Sequence, residues 1–398
     1  MDITITPGTL RGRISPIPSK SLAHRYLICA AFADGETEIR CPQVNRDMDA
    51  TARCLNALGA DISRTEAGYR VQPVRVIPEA ALLPCDDSGS TLRFLLPVAG
   101  ALGVDATFQM TGRLPSRPLS PLWEEMVRMG CTLTRPTPDT LRCTGHLQPG
   151  RYEIRGDVSS QFITGLLFAA ALISGHTEIS VLGALESRPY VTMTQSAMAR
   201  FGVDTADFSL SGGNPFRSPG ILTVEADWSN AAFFLAANAL GNELEVENLN
   251  PASCQGDRAV QDLLPLFSGT PVISGADIPD LIPILAVTAA AKHGARFENI
   301  SRLRLKESDR IQSILDMITA LGGRAQAEGD ALTVWGTGLR GGMVDARQDH
   351  RIAMSAAIAA TVCTEPVHIL GAECVSKSYP QFFQEYTRLG GHYEQYLR

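Results

Sequence analysis

The sequence holds no C-x-x-C pair, no excess of basic residues and no apolar run long enough to cross a bilayer, and each absence removes a class of function. Its nine cysteines (Cys29, Cys41, Cys54, Cys85, Cys131, Cys143, Cys254, Cys363 and Cys374) are odd in number and scattered. Reduced thiols fit that pattern better than a disulfide framework or a zinc site, so no metal is expected. A net charge of −7 argues against nucleic acid as the main partner, while leaving room for a local basic cleft that takes a small anion. The most apolar stretch, beginning at Phe162, runs for about a dozen residues, whereas a membrane span needs roughly 20. The opening MDITITPGTL alternates Ile3 and Ile5 like a strand and has the form of neither a signal peptide nor a transit peptide. The expectation is a cytoplasmic protein with no membrane partner. Its 398 residues, 44% hydrophobic and 19% charged, suffice for two or three domains with large cores.

What is present is a theme stated six times. It appears as SKSLAHRYLICAAFADGETEI (19–39), DSGSTLRFLLPVAGAL (87–102) and DVSSQFITGLLFAAALISGHTEI (157–179). It returns as DWSNAAFFLAANALGNELEV (227–246), DIPDLIPILAVTAAAKHGARF (277–297) and DHRIAMSAAIAATVCTEPVHI (349–369). Each copy is a polar cluster, a helix apolar on all sides and rich in small residues, a breaker, then an alternating strand. A helix hydrophobic all round is a buried helix. More amphipathic helices lie between copies, ending in turns such as Leu58-Gly59, Met129-Gly130 and Leu321-Gly322. Strands such as 69–73 and 331–336 follow them. The repeat therefore reads as β-α-β-α-β-β. Three copies before about residue 226 and three after predict an α/β protein of two similar lobes, with helices inside and sheets outside, the reverse of a doubly wound sheet. The first lobe is expected over 15–225 and the second over 1–14 plus 226–398.

The polar clusters have two readings. Serines such as Ser159 and Ser160 cap helix N-termini, the common use of such residues. Alternatively, several buried helices aim their N–H donors and partial positive charge into one cleft between the lobes and hold an anion there. Cations favour the second reading: Lys20 and Arg25, Arg93, and His350-Arg351 sit at helix starts, where they oppose the macrodipole unless an anion is bound. In SRLRLKESDRIQSILDMITALG (301–322), Leu303 and Leu305 alternate with Arg302, Arg304 and Lys306 as a strand with one charged face. A helix follows with Ser308 as N-cap, so Lys306, Glu307 and Arg310 gather at the turn. Arg117 lies in a stiff loop, and Lys377 beside a turn.

Taken in order, SKSLAHR, SGSTLR, RPLSPL, SSQF, SRPY, DIPD, LKESDR, DHRIAM and SKSYP resemble the 5-enolpyruvylshikimate-3-phosphate synthase family across nearly the whole chain. The resemblance implies a two-lobed fold of three repeats each, and a reaction with no metal or organic cofactor. In that reaction the 5-hydroxyl of shikimate 3-phosphate attacks C2 of phosphoenolpyruvate, C3 is protonated, and the tetrahedral intermediate loses phosphate. Carried over residue by residue, Ser21, Arg25, Ser159, Ser160, Ser187, Tyr190 and Lys306 would hold shikimate 3-phosphate, with Arg302 a weak contact. Gly89, Arg93, Arg117, Arg310, Arg351 and Lys377 would surround phosphoenolpyruvate, and Lys20 and Gln161 would lie between the two ligands. A guanidinium fork suits these anions because it binds two oxygens at once. Asp280 and Glu307 would be the acid–base pair, Asp280 taking the 5-hydroxyl proton and Glu307 serving the methylene carbon. The direction stays open, because Lys306 and Arg310 favour ionised Glu307.

The chain departs from the family at Asp87 and Ser90, where Asn and Thr are usual, at Phe94, where Pro is common, and at Arg302, where many relatives have Asn. Two rival readings are the sister transfer to UDP-N-acetylglucosamine, which uses a loop cysteine, and a non-catalytic ligand-binding relative, which would have lost the acid–base residues. Only Cys85 lies near the relevant loop. The implied lobes would close on substrate about hinges near Pro18 and 225–227. No oligomer signal is seen, so a monomer is expected.

Overall fold

The six helices marked by the repeats are buried along most of their length in the computed structural model, which describes residues 1–205, 207–213 and 216–396. They are Lys20–Ala31, Gly89–Leu102, Ser160–Leu172, Trp228–Ala239, Ile282–Ala291 and His350–Ala359. Small residues let them approach closely. A Cβ at Gly165 would overlap the carbonyl of Arg93, so Ser160–Leu172 can lie against Gly89–Leu102 only with glycine there.

Each buried helix is followed by a strand that pairs in parallel with the strand leading its repeat. Ala80–Asp86 pairs with Asp105–Met110, Gly150–Arg155 with Gly175–Leu182, Val272–Ser274 with Ala295–Glu298, and Gly342–Asp345 with Val367–Leu370. Antiparallel strands then extend the sheet, as Thr140–Gly145 and Cys131–Thr134 do beside Asp105–Met110. The first and fourth repeats borrow their leading strands. Ile221–Thr223 pairs in parallel with Thr37–Arg40, and Arg11–Ile14 with Glu243–Val246. Asp2–Thr6 sits antiparallel between Val367–Leu370 and His392–Tyr396.

That borrowing divides the chain into a discontinuous unit, Met1–Ile17 with Ala226–Arg398, and a continuous unit, Pro18–Glu225. The third-repeat sheet has three strands among the described residues. No helix of the described residues is long and apolar enough to cross a membrane.

Two local expectations fail. Ser301–Leu305 is a 3-10 helix rather than a strand, because only Leu303 is buried while Leu305 is exposed, and Leu303 N–H donates to the Ile300 carbonyl at 2.9 Å. The cap of Arg310–Ala320 is Asp309, which accepts from Gln312 N–H at 3.2 Å. Ser308 stands one residue earlier, where its hydroxyl donates to Asp349 at 3.0 Å and accepts from the Ser313 hydroxyl at 2.9 Å.

Candidate active site

In the continuous unit, Lys20 is the first residue of its helix, and its ammonium lies 3.0 Å from Asp47 Oδ2. Asp47 stands in the first turn of Arg46–Ala57 and offsets the cost of a cation at a helix start. One turn further on, buried Arg25 donates to Thr194 Oγ1 at 2.9 Å, to the Ser21 carbonyl at 2.6 Å and to the Tyr190 carbonyl at 2.9 Å. Its guanidinium also rests 5.1 Å from the centre of the Phe94 ring, so Phe94, one of the departures from the family pattern, supports Arg25 from below. Ser187 is buried at the N-cap of Arg188–Arg200, in a left-handed conformation with φ 52°. Ser159 accepts from Gln161 N–H at 3.3 Å, so capping is one role it does play, and Ser160 is buried behind it.

Gln161 opens a second cluster. Its Oε1 accepts from Arg93 at 3.0 Å and its Nε2 donates to Ser90 Oγ at 3.0 Å. Nη2 of Arg93 donates to the Pro118 carbonyl at 3.1 Å, beside Arg117. A Cβ at Gly89 would come within 2.7 Å of Arg117 and 2.8 Å of Arg93, so a larger residue there would push the guanidinium tips aside from the helix start. A helix N-terminus flanked by two guanidinium forks suits an anion. Gly89, Arg93, Arg117 and Gln161 are thus brought together.

In the discontinuous unit the hub is Arg310, buried at the start of its helix. It donates to Asp280 Oδ1 at 2.7 Å, to Glu307 Oε2 at 2.7 Å and to Asp349 Oδ2 at 2.8 Å. Arg351 reaches Asp280 Oδ2 at 3.1 Å, and the Lys306 ammonium lies 3.7 Å from Asp280 Oδ1. Three cations and three carboxylates therefore interlock. Arg302 points its guanidinium to the Ala276 carbonyl at 2.8 Å. Lys377 is buried at the end of the 3-10 turn Ala372–Lys377.

The charges reset one another. Burial alone would push the Asp280 carboxyl up, but Arg351, Lys306 and Arg310 outweigh it and hold the group well below the usual carboxylate range. Burial pulls the Lys306 ammonium down to about 8, against the opposing pull of Asp280. Burial disfavours charged Arg310, yet Asp349, Glu307 and Asp280 more than restore it. The Asp257 carboxyl, also buried, is lifted to about 7 by desolvation and by the charge of Asp280, and it accepts a short hydrogen bond from Ser229.

Asp349, Asp257 and Asp47 are parts of these clusters that the sequence reading did not single out. A signal existed for Asp349, which stands directly before the His350-Arg351 pair at a helix start. Asp257 falls between the fourth and fifth copies, whose starts at 227 and 277 stand closer together than those of the other copies, so periodicity offers no guide there.

Comparison with known proteins adds the following. The family model described as EPSP synthase (3-phosphoshikimate 1-carboxyvinyltransferase) matches residues 5–270 and 268–386. The 3-phosphoshikimate 1-carboxyvinyltransferase of Clostridium botulinum is 35% identical over 425 residues, covering 98% of each chain. The enzyme of the same name from Clostridium kluyveri is 36% identical over 420 residues, covering 99% of this chain and 98% of its own. A solved EPSP synthase from Acinetobacter baumannii superposes with a TM-score of 0.79 at 23% identity, over 99% of this chain and 100% of that one.

Proposed function

Because the chain belongs to the EPSP synthase family, we propose that it transfers the enolpyruvyl group of phosphoenolpyruvate to the 5-hydroxyl of shikimate 3-phosphate. The hydroxyl oxygen bonds to C2, its proton leaves to a base, and C3 gains a proton. Loss of phosphate with the bridging oxygen, and of a proton from C3, then gives the enolpyruvyl ether.

The observation that carries this reading is the interlocked cluster of Asp280, Glu307, Asp349, Lys306, Arg310 and Arg351. With its cations turned on Asp280, that carboxylate is a weak base. An anionic substrate on Lys306, Arg310 and Arg351 would compensate those cations and raise the basicity of Asp280, so binding would switch the base on. Glu307, held 2.7 Å from Arg310, would then serve the methylene carbon. Ser21, Arg25, Ser159, Ser160, Ser187, Tyr190 and Lys306 would bind shikimate 3-phosphate, with Arg302 a weak contact and Lys20 at the junction of the two ligands. Gly89, Arg93, Arg117, Arg310, Arg351 and Lys377 would bind phosphoenolpyruvate, Gln161 contributing to both. Catalysis would come from positioning, charge and proton transfer. We further propose that the chain acts as a monomer in the cytoplasm.

The UDP-N-acetylglucosamine reading needs a loop cysteine. Cys85 is instead fully buried within Ala80–Asp86, where burial and a neighbouring Cys54 thiol push it well above the usual thiol range. The test is phosphate release from phosphoenolpyruvate without added metal. Release should require shikimate 3-phosphate, and Asp280→Ala should slow it by about 10²–10⁴, the usual share of a general base. Release with UDP-N-acetylglucosamine instead, or with neither acceptor, would overturn the proposal.

A further inference from the structure

One run of side-chain hydrogen bonds in the continuous unit lies entirely inside the core. His24 Nδ1 meets Thr51 Oγ1 at 2.7 Å, Thr51 meets Thr91 Oγ1 at 2.7 Å, and Thr91 donates to Ser88 Oγ at 2.7 Å. The four residues come from three helices or their caps, and all are at most 1% exposed. Proton counting fixes the polarity. A hydroxyl has one proton to give. Thr91 gives its own to Ser88, with the Asp47 carbonyl a longer alternative acceptor at 3.5 Å; in either case Thr51 donates to Thr91, and Nδ1–H of His24 donates to Thr51.

Capping does not account for this run. Ser88 alone caps the helix, accepting from Thr91 N–H at 3.3 Å. Valine would fill the space at positions 51 and 91 without burying hydroxyls that need partners. The run does, however, end at Ser88, directly before the Gly89 that stands between the guanidinium tips of Arg93 and Arg117. It begins on the helix of Lys20 and Arg25 and passes through Arg46–Ala57, whose Asp47 holds Lys20. A fully satisfied buried network fixes its members more closely than apolar packing does.

We propose that the His24–Thr51–Thr91–Ser88 run is a positioning network that sets where Gly89 sits between Arg93 and Arg117, and so tunes affinity for the carboxylate- and phosphate-bearing substrate at that helix start. None of its members need touch a substrate. The proposal rests on the phosphoenolpyruvate assignment above, and the test separates the two. Affinity for phosphoenolpyruvate would be measured by calorimetry, and turnover by phosphate release, for the wild type, Thr51→Val, Thr91→Val, Thr51→Ser and Thr91→Ser.

The valine variants should weaken phosphoenolpyruvate binding about tenfold, the scale of one lost hydrogen bond. The KM for shikimate 3-phosphate should stay within about threefold, and the serine variants should recover near-wild-type affinity. A lower melting temperature with unchanged affinity would make the network structural only, as would equal losses for both substrates. Wild-type protein that binds phosphoenolpyruvate without turnover would overturn the reaction while the affinities still support or refute the network. Wild-type protein that does not bind it would overturn both.

Discussion

Replacing Asp349 by Asn should destabilise the discontinuous unit by about 3 kcal/mol, the lower end of what breaking a buried ion pair costs. Arg310 and Asp349 are 1% and 0% exposed, and the pair is made through Arg310 Nε at 2.8 Å. The substitution keeps the volume but removes the charge. It also turns an amide N–H₂ toward either Arg310 or the Ser308 hydroxyl that now donates to the carboxylate. Asp280 and Glu307 still face Arg310, which is why the lower end of the range applies.

At 2–4 °C per kcal/mol for a unit of this size, melting should fall by about 6–12 °C at pH 7, read by calorimetry. The pH dependence gives a second check. Arg310 holds the Asp349 carboxyl below its ordinary range although burial opposes this, so its stabilisation is present above the unfolded carboxylate pKa near 4. It is lost as pH falls through the lower native value. The gap between wild type and Asp349→Asn should therefore be widest at neutral pH and close below pH 4. A shift under about 1 kcal/mol at pH 7, or a gap independent of pH, would refute the hub as the source of that stability.

Gly89→Ala should raise the KM for phosphoenolpyruvate roughly 10- to 150-fold, because the new methyl displaces guanidinium tips at 2.7 and 2.8 Å and charge-assisted hydrogen bonds are lost; initial-rate kinetics would show it. Lys306, brought down to about 8 by burial, should lose its charge as pH rises through 8, so kcat/KM for shikimate 3-phosphate should fall there. Lys306→Arg should carry activity to higher pH; an unmoved limb would assign the titration elsewhere. Asp257 is raised to about 7, so its contribution to stability is full below the unfolded pKa near 4 and is lost as pH rises through 7. Urea unfolding at pH 5 and pH 8 should show a larger loss for wild type than for Asp257→Asn, and equal losses would contradict the assignment.

The buried helices were legible because a helix with no polar face has only one place to go. Glu307 and Arg310 were legible as neighbours because both stand at the turn that leads into the helix Arg310–Ala320, only three residues apart. The 3-10 turn at Ser301–Leu305 was not. Alternation of Leu303 and Leu305 mimics a strand, and only the tertiary environment decides that one leucine is buried and the other exposed. Asp349 pairs with Arg310 across 39 residues, and Asp257 feels Asp280 and Arg351 from the separate 3-10 turn Gly256–Ala259. Neither relation leaves a periodic trace. For Ser159 the sequence supports both capping and ligand binding; the cap is observed, and the two uses share the same hydrogen-bond chemistry.

The central claim is that the acceptor hydroxyl attacks carbon rather than phosphorus, and it is tested most directly with phosphoenolpyruvate carrying ¹⁸O at the bridging oxygen, together with shikimate 3-phosphate. The label should leave with inorganic phosphate, and the ether bridge of the product should hold the acceptor's own, unlabelled oxygen. Label retained on the three-carbon product, with a phosphorylated acceptor, would mean cleavage at phosphorus and would contradict it.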